Sequence, residues 1–234
     1  MVNGETGMDE RRARVISQEK GSYRISSGAD MKAAAVSGKY RYEAVTVSDY
    51  PAVGDYVLAQ WPEDDAPAVI RSLFPRKSCF IRRAAGSAKQ EQVVAANIDT
   101  VFICMSLNQN YNLRRLERYL SIAYDSGAAP VVVLTKADLC RDVDSRVSEV
   151  RGAAPGVDIL AVSSLSGDLG AVTRYILPGR TVAFLGSSGV GRSTLINQLT
   201  GTHSLATGTV GAADKGRHTT THRELITLSN GAFL

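Results

Sequence analysis

The chain has 234 residues, 44% of them hydrophobic, which suits one large or two small globular domains. Its 27 basic and 23 acidic residues give a net charge of +4, which is too small to indicate a nucleic-acid-binding protein by itself. There is no membrane-length apolar stretch, no secretory signal and no CxxC or Cys/His cluster, so a cytoplasmic protein without a membrane partner is expected.

The first third of the chain is predicted to be all-β. Residues 1–13 have no hydrophobic pattern and are predicted to be a flexible tail. Short strand-like segments separated by glycine turns then predict a barrel within residues 14–92. The predicted strands are residues 14–17, 22–26, 33–37, 56–60 and 68–73. Five short strands favour an OB fold, which commonly binds oligonucleotides, although an SH3-like barrel would give almost the same pattern.

A basic segment follows the last barrel strand. It interleaves Phe74 and Phe80 with basic residues and contains no acidic residue. Basic side chains can contact phosphates while aromatic rings stack on bases, so this segment is a candidate nucleic-acid-binding surface. The alternative is a solvated basic surface whose phenylalanines belong to the core. The candidate nucleic-acid contacts are Arg76, Lys77, Arg82 and Arg83.

From residue 93 the pattern changes to alternating strands and helices. Continuously apolar strands are predicted at residues 100–107, 130–134, 158–162 and 181–185, which is typical of parallel strands covered on both faces. Leucines and alanine recur at helical spacing over residues 113–124, and a weaker helix is predicted at residues 143–151. This alternation predicts an α/β domain with a mostly parallel sheet over residues 93–234.

A glycine-rich turn joins the last of these strands to a helix. Its sequence has the spacing of the phosphate-binding loop, G-x-x-x-x-G-[K/R]-[S/T]. Glycines let the backbone curl around an anion, and the helix N-terminus adds partial positive charge. The candidate phosphate-binding residues are Gly186, Ser187, Ser188, Gly189, Val190, Gly191, Arg192, Ser193 and Thr194.

Arg192 occupies the position where this pattern has lysine. Lysine is a compact point charge that fits between the β- and γ-phosphates, whereas arginine is larger, planar and forked. We therefore expect weakened nucleotide binding and a larger loss of turnover.

Two further loops predict the identity of the base. Thr135, Lys136 and Asp138 follow a buried strand and resemble the [N/T]KxD motif of GTPases. A carboxylate can accept two hydrogen bonds from guanine, whereas adenine cannot supply that pattern. Ser163 and Ser164 end the next strand and resemble the loop that supports the base. Because open α/β sheets bind ligands at the carboxyl ends of their strands, these loops are expected at one site.

The order of these motifs along the chain is unusual. In ordinary GTPases the phosphate loop comes first, whereas here the base motif precedes it. The pattern therefore predicts a circularly permuted P-loop GTPase domain.

The C-terminal part is predicted to be incomplete. Residues 201–221 are polar and glycine-rich without periodicity, and residues 223–228 are predicted to be a strand. The Asn-Gly turn at residues 230–231 predicts a hairpin whose second strand begins at residue 232 and is cut short at residue 234. We therefore expect a C-terminally truncated chain.

Taken together, the motifs resemble the RsgA/YjeQ family of ribosome small-subunit-dependent GTPases. The resemblance rests on the basic barrel exit at residues 75–78, the segment 97–99, the two nucleotide motifs and Gly-Arg-His-Thr-Thr-Thr at residues 216–221. It implies an OB-fold domain, a permuted GTPase domain and a C-terminal zinc-binding domain. It also implies GTP hydrolysis during late maturation of the 30S subunit, contact with 16S rRNA, and GTP/GDP and Mg²⁺ as ligands.

By the same resemblance, Ser193 and Thr220 would reach Mg²⁺ and His218 would position the attacking water. The candidate catalytic residues are His218, Arg192 and Thr220, and the candidate Mg²⁺ ligands are Ser193 and Thr220. The Mg²⁺-associated DxxG loop and the Zn²⁺ domain would lie beyond residue 234. A monomer is expected.

Two other functions remain open from the residues alone. The chain could be an OB-fold RNA-binding module with a degenerate, weakly active nucleotide site. It could also be an ATP-using P-loop protein, which Asp138 opposes.

Overall fold

The computed structural model describes residues 9–19, 21–83, 91–163, 167–201 and 224–234. The described residues divide into two compact units. The first holds those up to Asn97 together with residues 224–226, and the second holds the remainder from Ile98 onward.

A closed five-stranded barrel makes up most of the first unit. Its strands are β1 (Asp9–Glu19), β2 (Ser22–Ser27), β3 (Asp30–Val36), β4 (Tyr56–Trp61) and β5 (Ala68–Leu73). They are hydrogen-bonded in the order β1-β2-β3-β5-β4, with β1 closing the barrel against β4 and with β3 parallel to β5. This strand order is that of an OB fold, so the predicted OB barrel is confirmed and the SH3-like alternative is wrong.

The barrel core follows the two-residue period of its strands. In β4, Val57, Ala59 and Trp61 point inward and are buried, whereas the residues between them are partly exposed. Helix α1 (Gly38–Glu43) lies between β3 and β4 and is capped by the Ser37 hydroxyl. None of its residues is buried, so the sequence has no hydrophobic period from which this helix could be predicted.

The strand β6 (Cys79–Arg83) pairs with β7 (Glu91–Ala96) as a separate antiparallel sheet in the first unit. A backbone contact joins this pair to the turn before β4. Gly54 has φ +90°, and a Cβ there would collide with the carbonyl oxygen of Ala96. This position therefore requires glycine.

A four-stranded parallel sheet forms the centre of the second unit. Its strands are β8 (Thr100–Ser106), β9 (Ala129–Thr135), β10 (Asp158–Ala161) and β11 (Val182–Gly186), in the order β10-β9-β8-β11. The accompanying helices are α2 (Leu113–Ser126), α3 (Val143–Ala153), α4 (Gly170–Thr173) and α5 (Arg192–Thr200). The predicted alternation of strands and helices is confirmed.

Local sequence explains both ends of α2. The Asn112 side chain accepts a hydrogen bond from the backbone of Arg115, and Gly127 ends the helix with φ +81°. Leu116 and Leu120 are buried on the face towards the sheet, one turn apart. The helix begins immediately after the loop that follows β8, which places its first turn at the carboxyl edge of the sheet.

Predicted and observed strands differ near both ends of the sequence. Strand β1 begins at Asp9, five residues earlier than predicted, because its charged first half pairs with β4 without any hydrophobic alternation, so residues 9–13 of the predicted flexible tail are strand. The predicted strands at residues 223–228 and 232–234 are wrong as strands, since their described residues form only isolated bridges. One of these bridges joins Thr227 to Phe233 across a turn in which Gly231 has φ +79°.

None of the helices in the described ranges combines the length and apolar character needed to span a lipid bilayer.

Candidate nucleotide site

The phosphate-loop sequence lies between β11 and α5. Gly186 ends β11 opposite Cys104 of β8, and a Cβ on Gly186 would lie 2.7 Å from the Cys104 carbonyl oxygen. Gly189 and Gly191 have φ angles of +77° and +93°, which only glycine adopts without strain. The three glycines therefore allow the chain to leave the sheet in a tight curve and enter α5.

The curved loop presents backbone donors without acceptors. Within the described part of the chain, the N–H groups of residues 188–191 have no hydrogen-bond partner. Arg192 and Ser193 follow in the first turn of α5, where helix N–H groups are also left unpaired. Such a run of free N–H groups at a helix N-terminus fits an anionic phosphate group.

The base motif contacts this loop directly. Thr135, the last residue of β9, donates a hydrogen bond from its hydroxyl to the Val190 carbonyl across 2.5 Å. Lys136 has a left-handed backbone with φ +57°, and its amine lies 2.9 Å from the Gly189 carbonyl. The structure therefore brings together two of the motifs that the sequence separates by about 50 residues.

Asp138 lies in the 3₁₀ turn Ala137–Leu139 that follows Lys136, and it is exposed. The Ser163 hydroxyl is 2.5 Å from its Oδ1 atom, and the backbone of Ala137 bonds to the Val162 carbonyl. These contacts hold the carboxylate at the end of β9 and leave Oδ2 without a protein donor in the described ranges. An exposed carboxylate with a free oxygen fits hydrogen-bond donors of a guanine base.

Sequence reasoning missed two side chains beside the loop. Asn110 follows β8 and donates to the Ser187 hydroxyl and to the Ser188 carbonyl, both across 3.2 Å. Arg115, in the first turn of α2, lies 2.9 Å from the Ser187 hydroxyl. The available signal was the polar run after a buried strand, since ligand sites lie at the carboxyl ends of parallel strands.

Ser164, His218 and Thr220 lie outside the described residues, so their predicted roles stay predictions. Ser193 is described and partly exposed in the first turn of α5. In the described ranges, no three His, Cys, Asp or Glu side chains cluster as a metal site.

The candidate RNA-binding residues of the first unit differ in environment. Lys77 and Arg82 are exposed, and the side chain of Arg83 is not described. Arg76 instead forms a fork on the buried Asp55, with Nε and Nη2 lying 2.9 and 2.7 Å from its two carboxylate oxygens. Nη1 donates to the Ser48 carbonyl across 2.7 Å. These contacts of Arg76 stabilise the loop before β4, whereas Lys77 and Arg82 make no such contacts in the described ranges.

Comparison with known proteins agrees with this architecture. The sequence profile of the RsgA GTPase family matches residues 73–234. The chain is 48% identical over 221 residues to the small ribosomal subunit biogenesis GTPase RsgA 2 of Lactiplantibacillus plantarum, covering 94% of this chain and 62% of that protein. It is 43% identical to the corresponding RsgA of Opitutus terrae, covering 95% of this chain and 63% of that protein. The chain thus spans less than two thirds of these relatives.

Solved structures show the same fold. The crystal structure of YjeQ from Thermotoga maritima superposes with a TM-score of 0.71 at 22% identity, covering 96% of this chain and 73% of that one. YloQ, described as a circularly permuted GTPase, superposes with a TM-score of 0.67 at 20% identity, covering 99% and 72%. The predicted fold, an OB barrel followed by a permuted P-loop GTPase domain, is therefore confirmed. The profile match and the relatives together show that this chain belongs to the RsgA GTPase family.

Proposed function

We propose that this protein binds and hydrolyses GTP and acts in late maturation of the 30S ribosomal subunit. The observation that carries the nucleotide part is the contact of Lys136 and Thr135 with successive carbonyls of the phosphate loop. It joins the residues suited to a guanine base to the residues suited to phosphates. The ribosomal part rests on the relatives, which are named as small ribosomal subunit biogenesis GTPases.

Each part of the site has a separate task in this proposal. Asp138 accepts hydrogen bonds from guanine, and the Lys136 stem lies along the base. The free N–H groups of residues 188–191 bind the phosphates, and Arg192 supplies positive charge beside them. Ser193 would hold Mg²⁺, which neutralises phosphate charge when bound. His218 and Thr220 are proposed to position water and complete the Mg²⁺ ligands.

We propose an OB-fold RNA-binding domain of residues 9–97 and a GTPase domain from residue 98 onward, in place of the predicted limits of 14–92 and 93–234, because β1 begins at Asp9 and β7 ends at Ala96 within the first unit. A cytoplasmic, monomeric protein is part of this proposal, since the small subunit assembles in the cytoplasm.

Nucleotide binding tests the first half of the proposal. The chain is titrated with fluorescent GTP, GDP and ATP in the presence of Mg²⁺. We expect micromolar binding of guanine nucleotides and at least tenfold weaker binding of ATP, because adenine leaves the Asp138 carboxylate unpaired. Equal affinity for ATP and GTP would contradict the assignment of Asp138.

The Asp138→Asn variant sharpens this test. Xanthine carries a carbonyl where guanine carries an amine, so an amide that donates should suit it better than a carboxylate. We expect GTP affinity to fall about tenfold or more and xanthosine triphosphate to bind more tightly than to the unaltered chain. Asp144→Asn is the matched control, because Asp144 is exposed in the first turn of α3 and the substitution removes the same charge.

The RNA-binding half is tested with Lys77 and Arg82, the two candidates that are exposed. Replacing both by alanine should weaken association with purified 30S subunits and reduce the log–log salt slope by about 1 to 2, since two phosphate contacts are lost. The control is the double alanine variant of Arg114 and Arg118, two exposed residues of α2 with the same total charge. Unchanged association of the Lys77/Arg82 variant at matched salt would refute the RNA contact.

One observation favours the alternative of an RNA-binding module with a weakly active site. Arg192 stands at the position where the phosphate-loop pattern has lysine. Binding to 30S subunits without measurable guanine-nucleotide binding, both in this chain and in its Arg192→Lys variant, would favour this alternative.

A further inference from the structure

On the outer side of the phosphate loop, three successive backbone carbonyls accept hydrogen bonds from side chains. The Ser188 carbonyl accepts from Asn110 across 3.2 Å, the Gly189 carbonyl from Lys136 across 2.9 Å, and the Val190 carbonyl from Thr135 across 2.5 Å. The last two donors belong to the base motif. Asn110 belongs to the loop between β8 and α2, a part of the chain that the base and phosphate motifs do not include.

Arg115 determines the orientation of the Asn110 side-chain amide. Its Nη1 atom lies 2.6 Å from the Asn110 Oδ1 atom and 2.9 Å from the Ser187 hydroxyl. A guanidinium has only donors, so Oδ1 must be the acceptor and the amide nitrogen must face the loop. The Asn110 Nδ2 atom then donates to the Ser187 hydroxyl and to the Ser188 carbonyl. Arg115, Asn110 and Ser187 thus form a closed triangle of hydrogen bonds.

The triangle is attached to well-packed parts of the second unit. Arg115 directly precedes the buried Leu116, and its backbone N–H bonds to the Asn112 cap of α2. The backbone N–H of Asn110 bonds to the Asn108 side chain, which in turn accepts from Ser106 at the end of β8. The loop between β8 and α2, which carries Asn110, is therefore anchored to the end of β8 and to the N-terminus of α2.

The anchor keeps the phosphate loop in its binding geometry when no anion is bound. The N–H groups of residues 188–191 have no protein acceptor in the described ranges, so no internal ladder holds this curve. Convergent N–H dipoles repel one another until an anion binds between them. Fixing the carbonyls from outside keeps the N–H groups in the binding geometry before the anion arrives, which reduces the ordering cost of binding.

We propose that Arg115 and Asn110 are positioning residues that hold the phosphate loop in its anion-binding shape. Their charge and hydrogen bonds act on Ser187 and Ser188 and not on the nucleotide itself. The consequence for nucleotide affinity rests on the proposed function, whereas the consequence for the loop does not.

Backbone ¹⁵N relaxation of the nucleotide-free chain tests the effect on the loop, because it reports motion even where an N–H group has no hydrogen bond. Arg115→Met keeps the apolar stem of the side chain and removes its donors. We expect the order parameters of residues 187–191 to fall from about 0.85 to below about 0.6. Order parameters in the barrel should be unchanged. Arg115→Lys, which retains a donor and the charge, should restore part of the loss.

The matched control is Arg114→Met. Arg114 precedes Arg115 in α2, is exposed and carries the same charge. Its replacement should leave the loop order parameters unchanged. Asn110→Ala, which lies outside the helix and removes no charge, provides a second variant that should lower the loop order parameters even if Arg115→Met does not fold.

Nucleotide dissociation gives the second readout. Fluorescent GDP should leave the Arg115→Met and Asn110→Ala variants about tenfold faster than the unaltered chain, and the melting temperature should change little. Failure of both the unaltered chain and its Arg192→Lys variant to bind any guanine nucleotide would overturn the proposed function, while the relaxation measurement would still decide the positioning role. Unchanged loop order parameters in both the Arg115→Met and Asn110→Ala variants would overturn that role. An equal fall in order parameters over β8, α2 and the loop would also overturn it, because the residues would then support general stability.

Discussion

Gly186 and Cys104 lie opposite each other in the parallel strands β11 and β8, with no room for a side chain between them. A Cβ on Gly186 would lie 2.7 Å from the Cys104 carbonyl oxygen and 3.1 Å from a methyl group of Val190. The first glycine of the phosphate loop is therefore required by the packing of the sheet as well as by the curve of the loop.

Gly186→Ala should destabilise the second unit. The added methyl group meets backbone on one side, which cannot rotate away, so we expect a loss of about 1–3 kcal/mol in the free energy of unfolding. Urea denaturation measures the change. Gly152→Ala in α3 is the control, because no atom lies within 4 Å of a Cβ there and its φ is not positive. That control should be neutral or stabilising by up to about 1 kcal/mol. Equal effects of the two substitutions would contradict the packing argument.

Cys104 should be the slowest of the three thiols to react. Burial raises its pKa to about 12 although the charge of Arg192 lowers it, so the thiol stays protonated at pH 8. Cys79 and Cys140 are partly exposed. A maleimide should label two thiols quickly in the folded chain and three in denaturant. Labelling of all three at one rate in the folded chain would contradict the buried position.

The same thiol makes stability depend on alkaline pH. The pKa of Cys104 in the folded chain is raised above the unfolded value of 9.0. Its contribution to the free energy of unfolding is therefore complete below about pH 9 and is lost as the pH rises towards about 12. Cys104→Ser would not isolate this effect, because it buries a hydroxyl. Cys104→Ala should reduce the fall in unfolding free energy between pH 8 and 10.5. An identical fall in the variant would assign that slope to other groups.

Arg76→Ala should destabilise the barrel strongly. Asp55 has a fully buried side chain, and Arg76 supplies its charge partner through two hydrogen bonds. Removing the cation leaves a buried carboxylate unpaired, which costs about 3–5 kcal/mol. Lys77→Ala removes the same charge from the next, exposed residue and should change stability by no more than about 0.5 kcal/mol. Similar unfolding midpoints for the two variants would refute a structural role for Arg76.

Arg192→Lys should strengthen the nucleotide site. Arg192 is the first residue of α5 and carries a forked guanidinium where a compact ammonium would fit between phosphates. We expect GTP affinity to rise several-fold and turnover to rise about tenfold, since one charged hydrogen bond to the transition state improves. Arg118→Lys, the same change on the exposed face of α2, is the control. Unchanged hydrolysis in Arg192→Lys would show that the loop accommodates arginine without loss.

Local patterns were sufficient for the architecture and for the nucleotide motifs. The hydrophobic periods of the barrel strands and of α2 reflect burial of one face, and glycines with positive φ mark the turns between them. The phosphate loop and base motif were recognisable because their chemistry needs particular residues at fixed spacing. Elements without that pattern were missed, such as α1, which buries none of its residues, and the charged start of β1.

The sequence by itself determined that a strand, a glycine turn and a helix would form a phosphate loop, and that Asp138 would stand at the end of a buried strand. Only the tertiary structure decided which side chains hold that loop, because Arg115 and Ser187 are 72 residues apart and meet only once the strands are aligned. It likewise decided that Arg76, but not Lys77, pairs with a buried carboxylate 21 residues away. Such pairings depend on long-range burial and geometry, for which residue type and spacing carry no signal.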